Sequence, residues 1–174
     1  MFVKLILGIS MKRRYLVDIN KRFVNKAKKY IRIKQQIMDL VKDIDNPLSR
    51  MVTINALLHH KMQGFFWTGF YLIDNGELLV GPYQGTLACI LLKKNTGVCW
   101  AGINQKKTVI VPDVEKFDGH IACSSLTRSE IVVPVFNKDG EVIGTLDVDS
   151  REPDNFDDID RKYLEEIVHL IFHY

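Results

Sequence analysis

The chain has 174 residues, 47% of them hydrophobic and 26% charged, which is the composition of a globular protein with enough chain for one sizeable core. Its three cysteines form no C-x-x-C pair, which argues against a disulfide-stapled secreted fold and against a zinc ribbon. Charge is unevenly distributed: residues 1–50 carry 13 Lys or Arg against 4 Asp or Glu, a net +9, and residues 51–174 carry 11 against 17, a net −6.

The N-terminal segment is basic and predicted to be helical. Residues 1–10 lack a clear signal-peptide cleavage site, and no apolar run approaches the roughly 18 residues that cross a bilayer, so we expect a cytoplasmic protein without membrane contact. From Ile19 to Ile44 apolar residues recur every three or four positions until Asp45 and Pro47, which predicts an amphipathic helix. Because its lysines are not interleaved with aromatic residues, a solvated helix face is favoured over a nucleic-acid or anionic-membrane surface.

The elements that follow are strands in hairpins, framed by helices. A second helix is predicted from Ser49, as its N-cap, to Met62, a short one at 97–105, and a C-terminal one from about Asp157. Strands are predicted at 65–73, 77–80, 87–92, 108–111, 130–136 and 141–149. This order predicts an α+β domain, in which an antiparallel sheet of about six strands carries the N- and C-terminal helices on one face.

Two strands carry residue patterns that fit a binding pocket. Trp67, Gly69 and Tyr71 face the same side of their strand, and the glycine leaves a gap between two aromatic walls, although packing under a helix is an equal alternative. Asp147 and Asp149 also share one strand face, where burial would leave one carboxyl protonated near neutral pH. A calcium site and a solvent-facing acidic strand are the alternatives, but the twelve-residue calcium loop is absent.

The cysteines permit several kinds of chemistry. Cys123 follows His120 by three residues in a loop, and since a thiol of ordinary pKa is only about 3% thiolate at pH 7, a nucleophilic cysteine needs a nearby cation or amide dipoles. Together with Cys89 and Cys99 these residues also fit the inventory of a zinc site, but the spacing lacks a paired-ligand knuckle. We therefore predict no metal, and inert buried thiols remain an alternative for each cysteine.

Five stretches resemble, in order and spacing, the free methionine (R)-sulfoxide reductases, a family of small stand-alone GAF-fold enzymes. The stretches are Gly81–Gly85 with Ala88–Cys89, Thr96–Cys99, Gly119–Cys123, Ser129–Pro134 and Gly144–Ser150. The resemblance covers about residues 35–174, which we take as the GAF domain. Residues 1–34 are then a basic, largely helical N-terminal extension.

The resemblance implies an enzyme that reduces free L-methionine (R)-S-oxide to L-methionine. It matches Cys123 to the cysteine that attacks the sulfoxide and becomes a sulfenic acid, Cys89 to the cysteine that resolves it as an intramolecular disulfide, and Cys99 to an auxiliary thiol. Trp67 and Tyr71 match the wall around the methyl sulfoxide end of the substrate. The carboxylates that match those holding the amino group and supplying a proton are Glu130, Asp147 and Asp149.

The resemblance also implies partners. Thioredoxin, supplied by NADPH and thioredoxin reductase, is the expected electron donor, no cofactor is expected to be bound, and a homodimer is expected. One alternative is a non-catalytic GAF module that binds a small ligand such as a cyclic nucleotide, because Asn137, Lys138, Phe156 and Asp160 resemble the N-K-F-D pattern of such modules. Another is a thiol redox sensor.

Overall fold

A computed structural model gives the structure of residues 23–121 and 123–173. The helices are α1 (residues 23–41), α2 (Pro47–Lys61), α3 (Gly97–Gln105) and α4 (Asp158–His169), with a 3-10 turn at Val114–Lys116. The strands are β1 (Trp67–Asp74), β2 (Glu77–Gln84), β3 (Leu91–Leu92), β4 (Val109–Val111), β5 (Ser129–Phe136) and β6 (Val142–Ser150). They form one sheet in the order β3-β2-β1-β6-β5-β4, and each neighbouring pair is antiparallel. The predicted α+β class with six antiparallel strands is confirmed.

The turn between α1 and α2 differs from its prediction. The predicted start of the first helix at Ile19 lies outside the described residues, and the helix ends at residue 41, before Ile44. The prediction of Ser49 as N-cap of the second helix is wrong, because Asn46 caps it by accepting a hydrogen bond from the Ser49 N–H at 2.9 Å. Pro47 takes the first helical position, where its missing N–H costs nothing.

The edge of the sheet near β3 also differs. The predicted strand at 87–92 is reduced to Leu91–Leu92, because the preceding residues leave the sheet edge as a loop in which Cys89 is bonded to Cys123. Strand β2 is longer than predicted and continues through Pro82 to Gln84. The proline is tolerated because β3 pairs only with Leu78 and Leu79, so this part of β2 is an open edge.

The main core lies between one face of the sheet and three helices. Alternation along the strands sends Ile131, Val133, Leu146 and Val148 to this face. The helix side chains buried against them come from α1, α2 and α4, among them Tyr30, Ile33, Ile37, Ile54, Leu58, Leu164 and Ile167. Helix α3 covers part of the opposite face, where the second set of strand side chains points.

Helix α1 is tied to α4 by polar contacts at the edge of this core. The Lys26 ammonium pairs with Asp157 at 2.9 Å and with the fully buried Asp160, and the Tyr30 hydroxyl donates to Asp160 at 2.7 Å. The rings of Tyr30 and Tyr163 stack with centroids 5.3 Å apart. The helix is continuous across residues 34 and 35, so the domain boundary placed there remains a prediction. None of the helices described is long and apolar enough to span a membrane.

Candidate active site

The strand register brings three carboxyl groups and an aromatic strand to the sheet face opposite the three-helix core. Residues directly opposite each other in neighbouring strands point to the same face. Trp67 is paired with Asp149, Gly69 with Asp147, and Glu130 with the same Asp149 from the other side. Both strand patterns singled out in the sequence therefore contribute to one site.

The aromatic wall is a stack of three rings. Trp67 lies between Tyr71 and Tyr83, with ring centroids 5.8 and 5.4 Å away. A Cβ atom on Gly69 would overlap the Trp67 ring and the Tyr83 side chain, so the glycine is required for this arrangement. The indole of Trp67 thus fills the expected gap over Gly69, and the rings of Trp67 and Tyr71 face the cavity beside this gap.

The same two aromatic residues hold the loop that precedes β3. The Trp67 indole N–H donates to the Thr86 carbonyl oxygen at 3.1 Å, and the Tyr71 hydroxyl donates to the Cys89 carbonyl oxygen at 3.1 Å. Burial, reinforced by Asp147, raises the pKa of Tyr71, which keeps this hydroxyl a donor. The backbone on both sides of Leu87 is fixed by side chains of the wall.

Glu130 and Asp147 are buried and Asp149 is partly buried, and all three carboxyl groups resist ionisation. Burial is the largest cause for all of them, and it raises the pKa of Asp149 to about 7. The pKa of Glu130 is raised by burial and by the charge of Asp149, and that of Asp147 by burial and by the charge of Glu130. Asp147 Oδ1 is buried without a hydrogen-bond partner among the described residues. The cluster can therefore hold protons near neutral pH and still offer an unpaired acceptor.

Two further residues belong to this cluster. His120 Nε2 lies 3.5 Å from Glu130 Oε2, and burial lowers the pKa of the imidazole, although Asp149 opposes the shift. The Thr127 hydroxyl hydrogen-bonds Asp149 and opposes the rise of its pKa. The sequence suggests His120 as a partner for Cys123 or as a zinc ligand, but not as a neighbour of Glu130. It gives no signal for Thr127, because a threonine in an irregular loop carries no periodicity.

The three cysteines occupy two different environments. Cys89 and Cys123 form a disulfide with Cα atoms 5.5 Å apart, and both residues are half-buried. Cys99 is a free thiol in the first turn of α3, and burial, reinforced by Asp147 and Glu130, raises its pKa. The zinc site considered for three cysteines and His120 is not formed, because two of the thiols are bonded to each other.

A cavity of about 40 Å³ lies between the aromatic wall, the acids and the disulfide, with room for about three waters. Of the eight predicted site residues, seven line it, namely Trp67, Tyr71, Cys99, Cys123, Glu130, Asp147 and Asp149. Cys89 lies outside the lining, bonded to Cys123. The first turn of α3 also faces the cavity, and its N-cap Thr96 makes no side-chain capping bond, so backbone N–H groups remain available there.

The chemistry of the lining discriminates between ligands. The ligand atoms of Cys99, Glu130 and Asp147 lie within 4.8 Å of one another, a spacing that could hold a divalent ion. Three carboxyl groups suit a cationic group, such as an amine, and oppose the phosphate of a cyclic nucleotide. Of the four residues that resemble the nucleotide-binding pattern none lines the cavity, and Asp160 is engaged with Lys26.

Comparisons with known proteins agree with the fold and with this site. The family model described as GAF domain matches residues 53–171. The chain is 34% identical, over 83% of its length and 87% of the relative's, to a free methionine-R-sulfoxide reductase of Escherichia coli. It is 47% identical to GAF domain-containing protein A of Dictyostelium discoideum, over 84% of the chain and 92% of that protein.

A solved structure has the same fold and the same family name. The X-ray structure of free methionine-R-sulfoxide reductase from Neisseria meningitidis in complex with its substrate aligns with a TM-score of 0.79 and 41% identity, covering 84% of this chain and 87% of that one. The resemblance stated from the sequence motifs is confirmed. The chain belongs to the GAF-domain family and, within it, to the free methionine-R-sulfoxide reductases.

Proposed function

We propose that the protein reduces free L-methionine (R)-S-oxide to L-methionine, with Cys123 as the attacking thiol and Cys89 as the resolving thiol. The observation that carries the proposal is the Cys89–Cys123 disulfide at a cavity walled by aromatic rings and buried acids. A bond between these two cysteines is what such a reaction leaves behind. Cys99 remains reduced and serves as an auxiliary thiol.

The cavity supports one orientation of a zwitterionic amino acid. Its ammonium group binds the acids, where Asp147 Oδ1 has no other partner among the described residues. Its carboxylate binds the free N–H groups at the start of α3, where the helix dipole favours an anion. The methyl sulfoxide end then packs against Trp67 and Tyr71, within reach of the Cys123 loop.

The reaction proceeds in two balanced steps. The Cys123 thiolate attacks the sulfoxide sulfur, and the sulfoxide oxygen ends on Cys123 as a sulfenic acid, so the substrate sulfur gains two electrons and the cysteine sulfur loses two. The oxygen must be protonated as the S–O bond weakens, and the acids with raised pKa values supply that proton. The Cys89 thiol then condenses with the sulfenic acid, forming the disulfide and releasing water.

Turnover requires an external reductant and no bound organic cofactor. We assign this role to thioredoxin, whose reduction potential of about −270 mV suits a catalytic disulfide. NADPH and thioredoxin reductase would keep thioredoxin reduced. A cytoplasmic location fits a cycle that passes through free thiols. We also propose a homodimer, which is supported by apolar side chains about half exposed on α1 and α2, namely Ile31, Leu48 and Val52.

The test is a thioredoxin-coupled assay of NADPH oxidation with the separated (R) and (S) epimers of free methionine sulfoxide. We expect turnover of the (R) epimer by the parent chain and none by Cys123→Ser. Ser125→Ala, an exposed change in the same loop, is the control and should retain parental turnover. A folded parent chain that leaves the (R) epimer unreduced, or a Cys123→Ser variant with full activity, contradicts the proposal.

A further inference from the structure

Four large apolar side chains are exposed around the disulfide. Leu87 is 87% exposed, Ile90 75%, Leu91 51% and Leu126 45%. We call these four residues the disulfide patch. Exposed apolar side chains are ordinary when scattered singly, but a cluster at a functional site marks a surface that a partner covers.

The cluster is compact because the disulfide joins its two halves. Leu87 and Ile90 lie within two residues of Cys89, so their Cα atoms are within about 8 Å of its Cα. Leu126 follows Cys123 by three residues, so the Cα atoms of these two residues are within about 11 Å of each other. Since the two cysteine Cα atoms are 5.5 Å apart, all four residues lie near the S–S bond and fit inside a standard protein interface.

The patch is also free of charge. Residues 85–92 and 121–127 contain no Asp, Glu, Lys, Arg or His, in a chain with 26% charged residues. Depletion of charge with retention of large apolar side chains is the composition of an interface centre. Such a surface selects a partner whose contacting face is itself apolar, and it gives little electrostatic steering.

We propose that the disulfide patch is the docking surface for the protein dithiol that reduces the enzyme, a reductase of the thioredoxin type, and that its thiolate attacks Cys89. This rests on the proposed function. A protein that brings a thiolate onto the S–S bond must cover these residues, because they lie beside the bond in the chain and in space. Attack forms a mixed disulfide with Cys89 and releases the Cys123 thiolate, and the second thiol of the partner then releases Cys89 and takes up the disulfide.

Cys89 is the sulfur to attack because of where the two half-cystines lie. Cys123 lines the substrate cavity, whereas Cys89 does not, and three of the four patch residues are chain neighbours of Cys89. A partner seated on the patch therefore reaches Cys89 first. Attack on Cys89 releases Cys123 as a thiolate, which is the form that attacks the next substrate molecule.

The experiment measures reduction of the oxidised full-length chain without any sulfoxide present. Reduced thioredoxin or dithiothreitol is mixed in excess, and the second-order rate constant is followed through fluorescence of Trp67 beside the disulfide loop. We expect Ile90→Ser and Leu126→Ser each to slow reduction by thioredoxin about tenfold, while the rate with dithiothreitol stays within about twofold. Ile44→Ser, in the turn between α1 and α2 and 40% exposed, is the control and should match the parent with both reductants.

Unchanged thioredoxin rates in both patch variants, or equal slowing with dithiothreitol, overturn the docking surface. The site of attack is read separately with a thioredoxin in which the second cysteine is serine, which traps the mixed disulfide for peptide mapping. Capture on Cys89 supports the proposal and capture on Cys123 overturns it. Because no sulfoxide is used, these outcomes are independent of whether the parent chain reduces methionine sulfoxide.

Discussion

Replacing Asp149 with asparagine should abolish much of the fall in stability that the oxidised protein shows between pH 5 and pH 8. Asp149 is partly buried opposite Glu130, and its pKa in the folded protein is about 7 against an ordinary value of 3.8. Between these two values the folded protein keeps a proton that the unfolded chain has released. Stability contributed by this group is therefore complete below about pH 4 and is lost as the pH rises to about 7.

The size of the effect follows from the same two values. They span about three pH units, and each unit corresponds to about 1.4 kcal/mol, so the full loss is about 4 kcal/mol. About 3 kcal/mol of it falls between pH 5 and pH 8. Glu130 and Asp147 shift in the same direction, so they add to the loss in the parent and leave part of it in the variant.

Urea unfolding followed by tryptophan fluorescence at intervals from pH 5 to pH 8 measures this. We expect Asp149→Asn to be the more stable protein at pH 8 and to converge on the parent, or fall below it, at pH 5. Asp139→Asn, in the exposed turn between β5 and β6, is the control and should follow the parent throughout. Parallel curves for the parent and Asp149→Asn would refute the idea that this carboxyl is protonated in the folded protein at pH 5.

Three further changes test other parts of the structure. Cys89→Ser should give one methionine per chain in a single turnover but little thioredoxin-supported cycling, measured by chromatography of the product, because the sulfenic acid has no resolving partner. Gly69→Ala should raise the KM for the sulfoxide about tenfold in steady-state assays, since the new methyl group displaces the Trp67 ring. Lys26→Met should lower the free energy of unfolding by about 2 kcal/mol in urea, because the buried Asp160 loses the cation that pairs with it.

Matched variants make these outcomes interpretable. Lys28→Met changes an exposed lysine on the same helix and should leave unfolding in urea unchanged, so equal loss in both lysine variants would contradict a specific pairing with Asp160. Cys99→Ser should retain the Cys89–Cys123 bond after one turnover, as seen by mass mapping. Parental thioredoxin cycling in Cys89→Ser, or a parental KM in Gly69→Ala, would count against the assigned roles.

Local patterns were sufficient for most of the architecture. The helix at 97–105 and the hairpin strands followed from periodicity and turn residues, and the alternation of Asp147 and Asp149 was enough to predict that both carboxyls share a face. The resemblance then predicts a role for each cysteine, and the bond between Cys89 and Cys123 agrees with the predicted pairing. These features succeed because each depends on residues within a few positions of one another.

Two of the misses depend on long-range contacts, and one was local. The short β3 strand could not be predicted. The apolar run 87–90 is typical of a strand, but these residues form a loop, and Cys89 in this loop is bonded to Cys123, 34 residues away. The contact between His120 and Glu130 likewise could not be predicted, because a loop and a strand meet only in the folded chain and no sequence spacing indicates it. The capping role of Asn46 was local and detectable, since a proline directly after a possible cap is a known helix start.

The hydrogen bonds from Trp67 and Tyr71 to the Cys89 loop have an evolutionary consequence. The residues that wall the proposed substrate cavity also hold the backbone at Cys89, the proposed resolving thiol. Replacement of either ring to admit a bulkier sulfoxide would release the loop and slow the closure of the disulfide. We therefore expect substrate range and recovery of the oxidised enzyme to be coupled traits, so that a variant with altered specificity needs a compensating change in the loop before it can cycle efficiently.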